Sequence, residues 1–228
     1  MRGFALSLVI IYAGAYASGQ PAQARSYPHQ SYPSHWWAPV PEDQKADWEI
    51  LPQAAKPGEV ILSKRNELGI LSNFAATPFT LRGKRYASVE GFWQMMLYPE
   101  GPADPRAKAA GLVWRHTREE VAHMVGFEAK DAGTPAEANM RAMGIRWVTF
   151  EGRQIDYESK KKADHYALIV EAMRAKLAQN SQVREILLST GDLNLLPDHI
   201  QEVDAPPEWR YFQIWMEIRG ELRSKEKR

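Results

Sequence analysis

The run GILSNFAATPFTLRGKRYASVEGFWQ, residues 69–94, decides the fold class, because a turn, two short strands and a helix start follow one another in it without interruption. Leu68 to Phe74 read as a loop whose Gly69, Ser72 and Asn73 suit a polar turn. Phe79 to Leu81 and Lys84 to Tyr86 then read as the arms of a hairpin turning at Arg82 and Gly83. Ser88 is placed to cap a helix that runs to about Leu97. Val89, Phe92, Trp93 and Met96 recur at helical spacing and predict a stripe facing the core. Glu90 and Gln94, four positions apart, share another face and set a carboxylate beside an amide next to the polar loop. That pairing suits acid/base work in a cleft, while a Glu in a first helical turn is commonly there because of the dipole, which favours its ionised form.

The flanking sequence adds more of both kinds of element. Residues 59–63, EVILS, read as a strand, and WVTF and QIDY, flanking Glu151, Gly152 and Arg153, read as a second hairpin. Thr117 and Glu120 form a capping-box pattern. Thr134, Pro135 and Glu137 combine a cap, a proline at the first helical position and the reciprocal Glu, and predict a helix that begins there. A long helix from about Glu158 to Gln179, a short one from Ser181 to Ser189 stopped by Gly191, and a last one from about Trp209 to Arg223 complete the set. The expected fold class is α+β, a helix-dominated single domain with a small antiparallel sheet. Strands do not alternate with helices and no glycine-rich phosphate loop is present, which argues against a dinucleotide-binding doubly wound sheet.

The 228 residues include no cysteine, which excludes cysteine nucleophiles, cysteine-bound zinc, iron–sulfur clusters and disulfides. Basic and acidic residues number 29 and 28, so no global field draws the chain to nucleic acid or an anionic membrane. Residues 1–24 carry Arg2, an apolar stretch from Phe4 to Ala17 and the small triplet Ala22-Gln23-Ala24, the pattern of a cleavable secretory signal too short to span a bilayer. The mature protein is therefore expected in the periplasm or secreted, with no membrane attachment after cleavage. Residues 25–57 hold six prolines and no apolar period, and are expected to be a linker or lid in which Trp36 and Trp37 either pin the segment to the domain or stack on a ligand. The expected division is signal peptide 1–24, linker or lid 25–57, domain 58–223 and basic tail 224–228.

Residues 69–94 resemble the opening of the NADAR family, the riboflavin-intermediate N-glycosidases, whose pattern is Gly-x-(Leu/Phe)-Ser-Asn-Phe, a basic-flanked Gly, then (Ser/Thr)-x-Glu followed by aromatics and Gln. Residues 172–198, AMRAKLAQNSQVREILLSTGDLNLLPD, are similar to its Lys-bearing helix with Leu-Leu-x-Thr-Gly, and WMEIRGEL, residues 215–222, to its closing motif. The resemblance spans residues 61–222. It implies hydrolysis of a C–N bond between ribose and a base-like leaving group, in ribosylamino-pyrimidine phosphates or in ADP-ribose attached to guanine, including ADP-ribosylated nucleic acid. It implies no metal, no cofactor and no obligate protein partner. Glu90 matches the motif Glu and, ionised at its helix start, is expected to act as electrostatic stabiliser or base. Ser72, Asn73 and Phe74 match the loop expected to contact sugar and base. Gln94 is expected to support them, and Trp93 and Trp209 either stack on the leaving group or pack in the core.

The chain also departs from that pattern. A family lysine linked with covalent chemistry on ribose falls at Leu97, so an amine nucleophile there is absent unless Lys108 or another basic side chain replaces it. The family's Gly-rich segment is reduced to residues 204–213, DAPPEWRYFQ, where prolines replace phosphate-hugging backbone. An inactive nucleotide- or ADP-ribose-binding protein of the envelope, or an interaction protein that reuses the fold, is thus a standing alternative. Residues 115–157 show no family counterpart. His116, Glu119, Glu120 and His123 fall at helical spacings but read as a solvated face, as do the basic clusters at residues 160–162 and 223–228.

Overall fold

The computed structural model describes residues 32–157 and 159–226; the signal sequence expected over residues 1–24 lies outside them. Strand β1 (Glu59–Ile61) forms within the stretch read as a strand but stops two residues short of Ser63, and its partner is β6 (Asn194–Leu196), with which it pairs in parallel, Val60 opposite Leu195. Sequence reading missed β6, since three residues beyond a helix stop carry no alternation and the partner lies far away along the chain. The hairpins β2–β3 (Phe79–Leu81, Lys84–Tyr86) and β4–β5 (Trp147–Phe150, Arg153–Asp156) are antiparallel. Both turn through two residues at positive φ, Arg82 and Gly83 in one and Glu151 and Gly152 in the other, the geometry that matches strand twist. Arg153 therefore belongs to β5 rather than to the turn. The fold is α+β and helix-rich, with a single core.

Helix α1 (Val89–Met95) is buried along its whole length, and Ser88 caps it as expected: its Oγ accepts from the Gly91 amide at 2.8 Å and donates to the Met124 carbonyl. Thr117 and Glu120 close a capping box on α2 (Arg118–Ala122). The expected helix start at Thr134 is corrected. Helix α3 runs from Gly126 to Ala142 straight through Pro135, because its small-residue stripe, Ala129, Ala132, Gly133 and Ala136, is buried as one face. Gly133 lies against the Gln94 side chain of α1. Burial of that face outweighs the one intrahelical bond a proline removes. Helix α4 (Asp164–Gln179) begins later than the sequence suggests, α5 (Ser181–Ser189) is as read, and α6 (Tyr211–Glu226) follows a short 3-10 turn, Pro207–Trp209.

Residues 32–57, read as linker or lid, lie on the domain. Trp36 is buried, its indole donating to Glu67 at 2.6 Å, and Trp37 donates to the Glu59 carbonyl at 2.9 Å. Arg65 grips Glu49 with two bonds of 2.6 Å, and the Ile50 amide donates to the Asp198 carbonyl. These contacts fix Trp48, between them, at the edge of the cleft that the helices enclose.

Candidate functional site

A cleft of about 390 Å³ opens between residues 72–74, α1, α3 and the segment from His199 to Tyr211. Ser72, Asn73, Phe74, Glu90, Trp93, Gln94 and Trp209 all line it. The loop reaches the helix through its main chain, for the Glu90 amide donates to the Asn73 carbonyl at 2.9 Å. Buried donors hold the loop from beneath: the Trp215 indole on the Leu71 carbonyl at 2.6 Å and the Lys176 ammonium on that of Ser72 at 2.8 Å. Asn73 Oδ1 is buried and accepts no hydrogen bond among the described residues, an orphan acceptor that a ligand hydroxyl would satisfy.

Glu90 sits at the cleft floor, 7% exposed, and accepts from Gln94 Nε2 at 2.8 Å. Its expected ease of ionisation is corrected. Burial raises its pKa, opposed less strongly by the Gln94 bond and by the more distant Lys130 and Lys64, so desolvation wins over the helix start.

The walls are aromatic. The Trp93 indole donates to Tyr157 Oη at 3.1 Å, and both rings meet the edge of His165 at about 5 Å. Trp93 thus packs and lines the cleft at once. His165 Nδ1 bonds Glu208 at 2.7 Å with both side chains sealed from solvent, which fastens the 3-10 turn to α4 and turns its neighbour Trp209 to the cleft. Prolines in that segment, read as the loss of a flexible loop, here build a fixed one. Across the mouth, Lys64 donates to both carboxylate oxygens of the buried Asp198, at 2.7 and 2.8 Å. Sequence reading missed Lys64, Asp198, Tyr157, His165 and Glu208, whose partners are distant in the chain and give no local pattern.

Leu97, at the family's lysine position, is buried in the core, and Lys108 is exposed and outside the cleft; the lysines that line it are Lys64 and Lys130. Lys176 lies beneath the loop, its pKa pushed down to about 7 by burial. Since the unfolded chain keeps that amine protonated to about 10.5, its burial destabilises most at pH 7 and below, and stability is regained as pH rises from there. Lys176→Met is expected to flatten the rise in melting temperature between pH 7 and 9.5, measured by thermal denaturation. Glu120 is engaged in the α2 capping box and His123 Nδ1 contacts the Glu119 carbonyl. Among the described residues, no three His, Asp or Glu side chains gather to hold a metal ion.

No family model matches the chain, and no curated protein matches it. Among solved structures, the NMR structure of the E. coli protein YbiA is similar at 20% identity, over 72% of this chain and 83% of that one, with a TM-score of 0.42. This is a distant likeness of fold.

Proposed function

We propose that the cleft binds a nucleotide-like molecule and hydrolyses its ribose–base C–N bond, with Glu90 as the reacting carboxylate. The observation that carries this reading is convergence. Residues singled out from three segments, 72–74, 90–94 and, more than a hundred positions further on, 209, surround one buried carboxylate. In the reaction, a water oxygen bonds to the anomeric carbon as the C–N bond breaks and its electron pair leaves with the base. Glu90 takes the proton from water, and a leaving nitrogen that would depart as an anion gains one from solvent, while a cationic base leaves neutral. A carboxylate at the anomeric carbon also stabilises the oxocarbenium character that develops there. Its raised pKa strengthens it as a base near neutral pH. Asn73 is placed to accept from a ribose hydroxyl, and the aromatic walls to hold the base.

The same reading takes the protein to be exported, on the strength of residues 1–24, and so to meet nucleotide material outside the cytoplasm. The test is incubation of the protein with NAD, ADP-ribosylated guanine nucleic acid and ribosylamino-pyrimidine phosphates, followed by mass spectrometry. Glu90-dependent release of a base supports the proposal. Stabilisation by a ligand without release supports the binding-protein alternative instead.

Gly133→Ala probes the geometry from a distance. A Cβ there would lie 1.7 Å from Gln94 Oε1, the movable end of a side chain, so Gln94 must swing away and release Glu90. Because the Gln94 bond lowers the Glu90 pKa, the acidic limb of the pH–rate profile is expected to move to higher pH in this variant.

A further inference from the structure

Trp48 and Phe127, at the cleft mouth, take no part in the chemistry just described. Among the described residues, Trp48 and Phe127 are two of the few large apolar side chains left exposed, at 38% and 50%, and both line this cleft. Their ring centres are 5.6 Å apart, and Phe127 meets Phe74 edge-on at 5.1 Å. The three rings form one wall from the loop at the cleft floor out to solvent. Lys64, fixed by Asp198, stands 4.9 Å from the Trp48 ring centre and 5.2 Å from that of Phe74, which holds the wall in place. Lys130, one turn beyond Phe127 on α3, is exposed at the same mouth and has no carboxylate partner among the described residues. Trp48 and Phe127 both come from segments that the family resemblance leaves out.

We propose that Trp48 and Phe127 form a stacking platform for a second planar ring of the ligand, so that the cleft selects a dinucleotide-like molecule over a bare nucleotide. The proposal rests on the reading that ribose is seated at Glu90. A ligand so seated leaves past Phe74 and across these two rings, with its linking phosphates within the field of Lys130. One indole and one phenyl stay partly exposed, tilted 57° to each other, and Lys130, Glu137 and Glu202 line the same cleft. That matches a single heteroaromatic ring, whose π-face any base supplies, and falls short of the roughly 800 Å² per partner that a stable protein interface needs.

The full chain carrying Glu90→Gln, which retains ligand without turnover, is titrated with AMP and with NAD, one ring against two, and binding is followed by calorimetry. NAD is expected to bind roughly 5- to 100-fold more tightly than AMP, the range for one stacked base. Trp48→Ala and Phe127→Ala, each checked for an unchanged melting temperature, are expected to abolish that difference while leaving AMP affinity as it was. Equal affinities for AMP and NAD, or a loss that falls on both ligands alike, would overturn the platform and leave the Glu90 reading standing. Binding of neither would overturn both.

Discussion

Replacing Glu90 with Gln is expected to stop base release while raising the melting temperature at neutral pH. The amide keeps the shape of the side chain and can still accept from Gln94, but it cannot take a proton from water. Loss of a positioned general base lowers turnover by about 10²–10⁴-fold. The stability change has the opposite sign because, among the described residues, the carboxylate is buried with one hydrogen bond and no direct ion pair. Its folded pKa is raised above the unfolded value of about 4.5, so the folded state holds its proton more tightly. Stability is therefore greatest below that value and falls as pH rises toward the folded pKa; above it the full penalty applies. The Gln variant escapes this penalty. Its advantage in melting temperature should be near zero at pH 4 and grow toward pH 7. A purely structural Glu90 predicts that both quantities fall together, so paired melts and turnover assays separate the two roles.

What could be read in the sequence was local. Ser88, Thr117 and the two hairpin turns announce themselves within four residues, since capping and left-handed turns are decided by neighbours. Glu90 and Gln94 could be paired on paper because four residues make one helical turn. The start of α3 was misplaced for the same reason. Thr134 and Pro135 spell a helix start locally, while the glycine and alanines that dock the helix on α1 announce nothing until α1 is present. The segment over residues 32–57 looked unstructured because proline removes periodicity. Its Trp36 is nonetheless buried and its Trp48 reaches the cleft. Lys64 with Asp198 and His165 with Glu208 join elements far apart in the chain, and only the folded topology brings them together. The helix-start argument for an ionised Glu90 failed on magnitude, since a dipole at a short helix is worth less than removing water from a carboxylate.

Arg106 is the residue whose loss is expected to damage the fold most, although the stretch PADPRAK around it carries no motif that singles it out. It is fully buried and spends its guanidinium on the carbonyls of Met96, Leu97 and Tyr98, just past the end of α1. It also holds Asp104 through two bonds of 2.8 and 3.1 Å and Thr149 through one of 2.6 Å. Asp104 in turn accepts from the amides of Glu100 and Arg106, and these partners hold its pKa well below the usual carboxylate range despite burial. Arg106→Met fills similar space but leaves a buried carboxylate without its cation and the carbonyls of Met96 and Leu97 without their donor, while that of Tyr98 keeps Arg118. Breaking a buried pair from one side costs about 3–5 kcal/mol, and each kcal/mol lowers the melting temperature of a domain this size by about 2–4 °C. A drop on the order of 10 °C is expected by calorimetry. Lys cannot substitute, since its single ammonium lacks the planar fork that reaches both sides at once. Because the Asp104 pKa is depressed, the wild-type protein keeps this stabilisation above the ordinary carboxylate range and loses it as pH falls below. Double replacement, Asp104→Leu with Arg106→Met, removes the stranded charge and should recover part of the loss. If the double variant is no more stable than Arg106→Met alone, the arginine acts chiefly by capping α1, the helix that carries Glu90 and Gln94, and its loss should then lower turnover even below the melting transition.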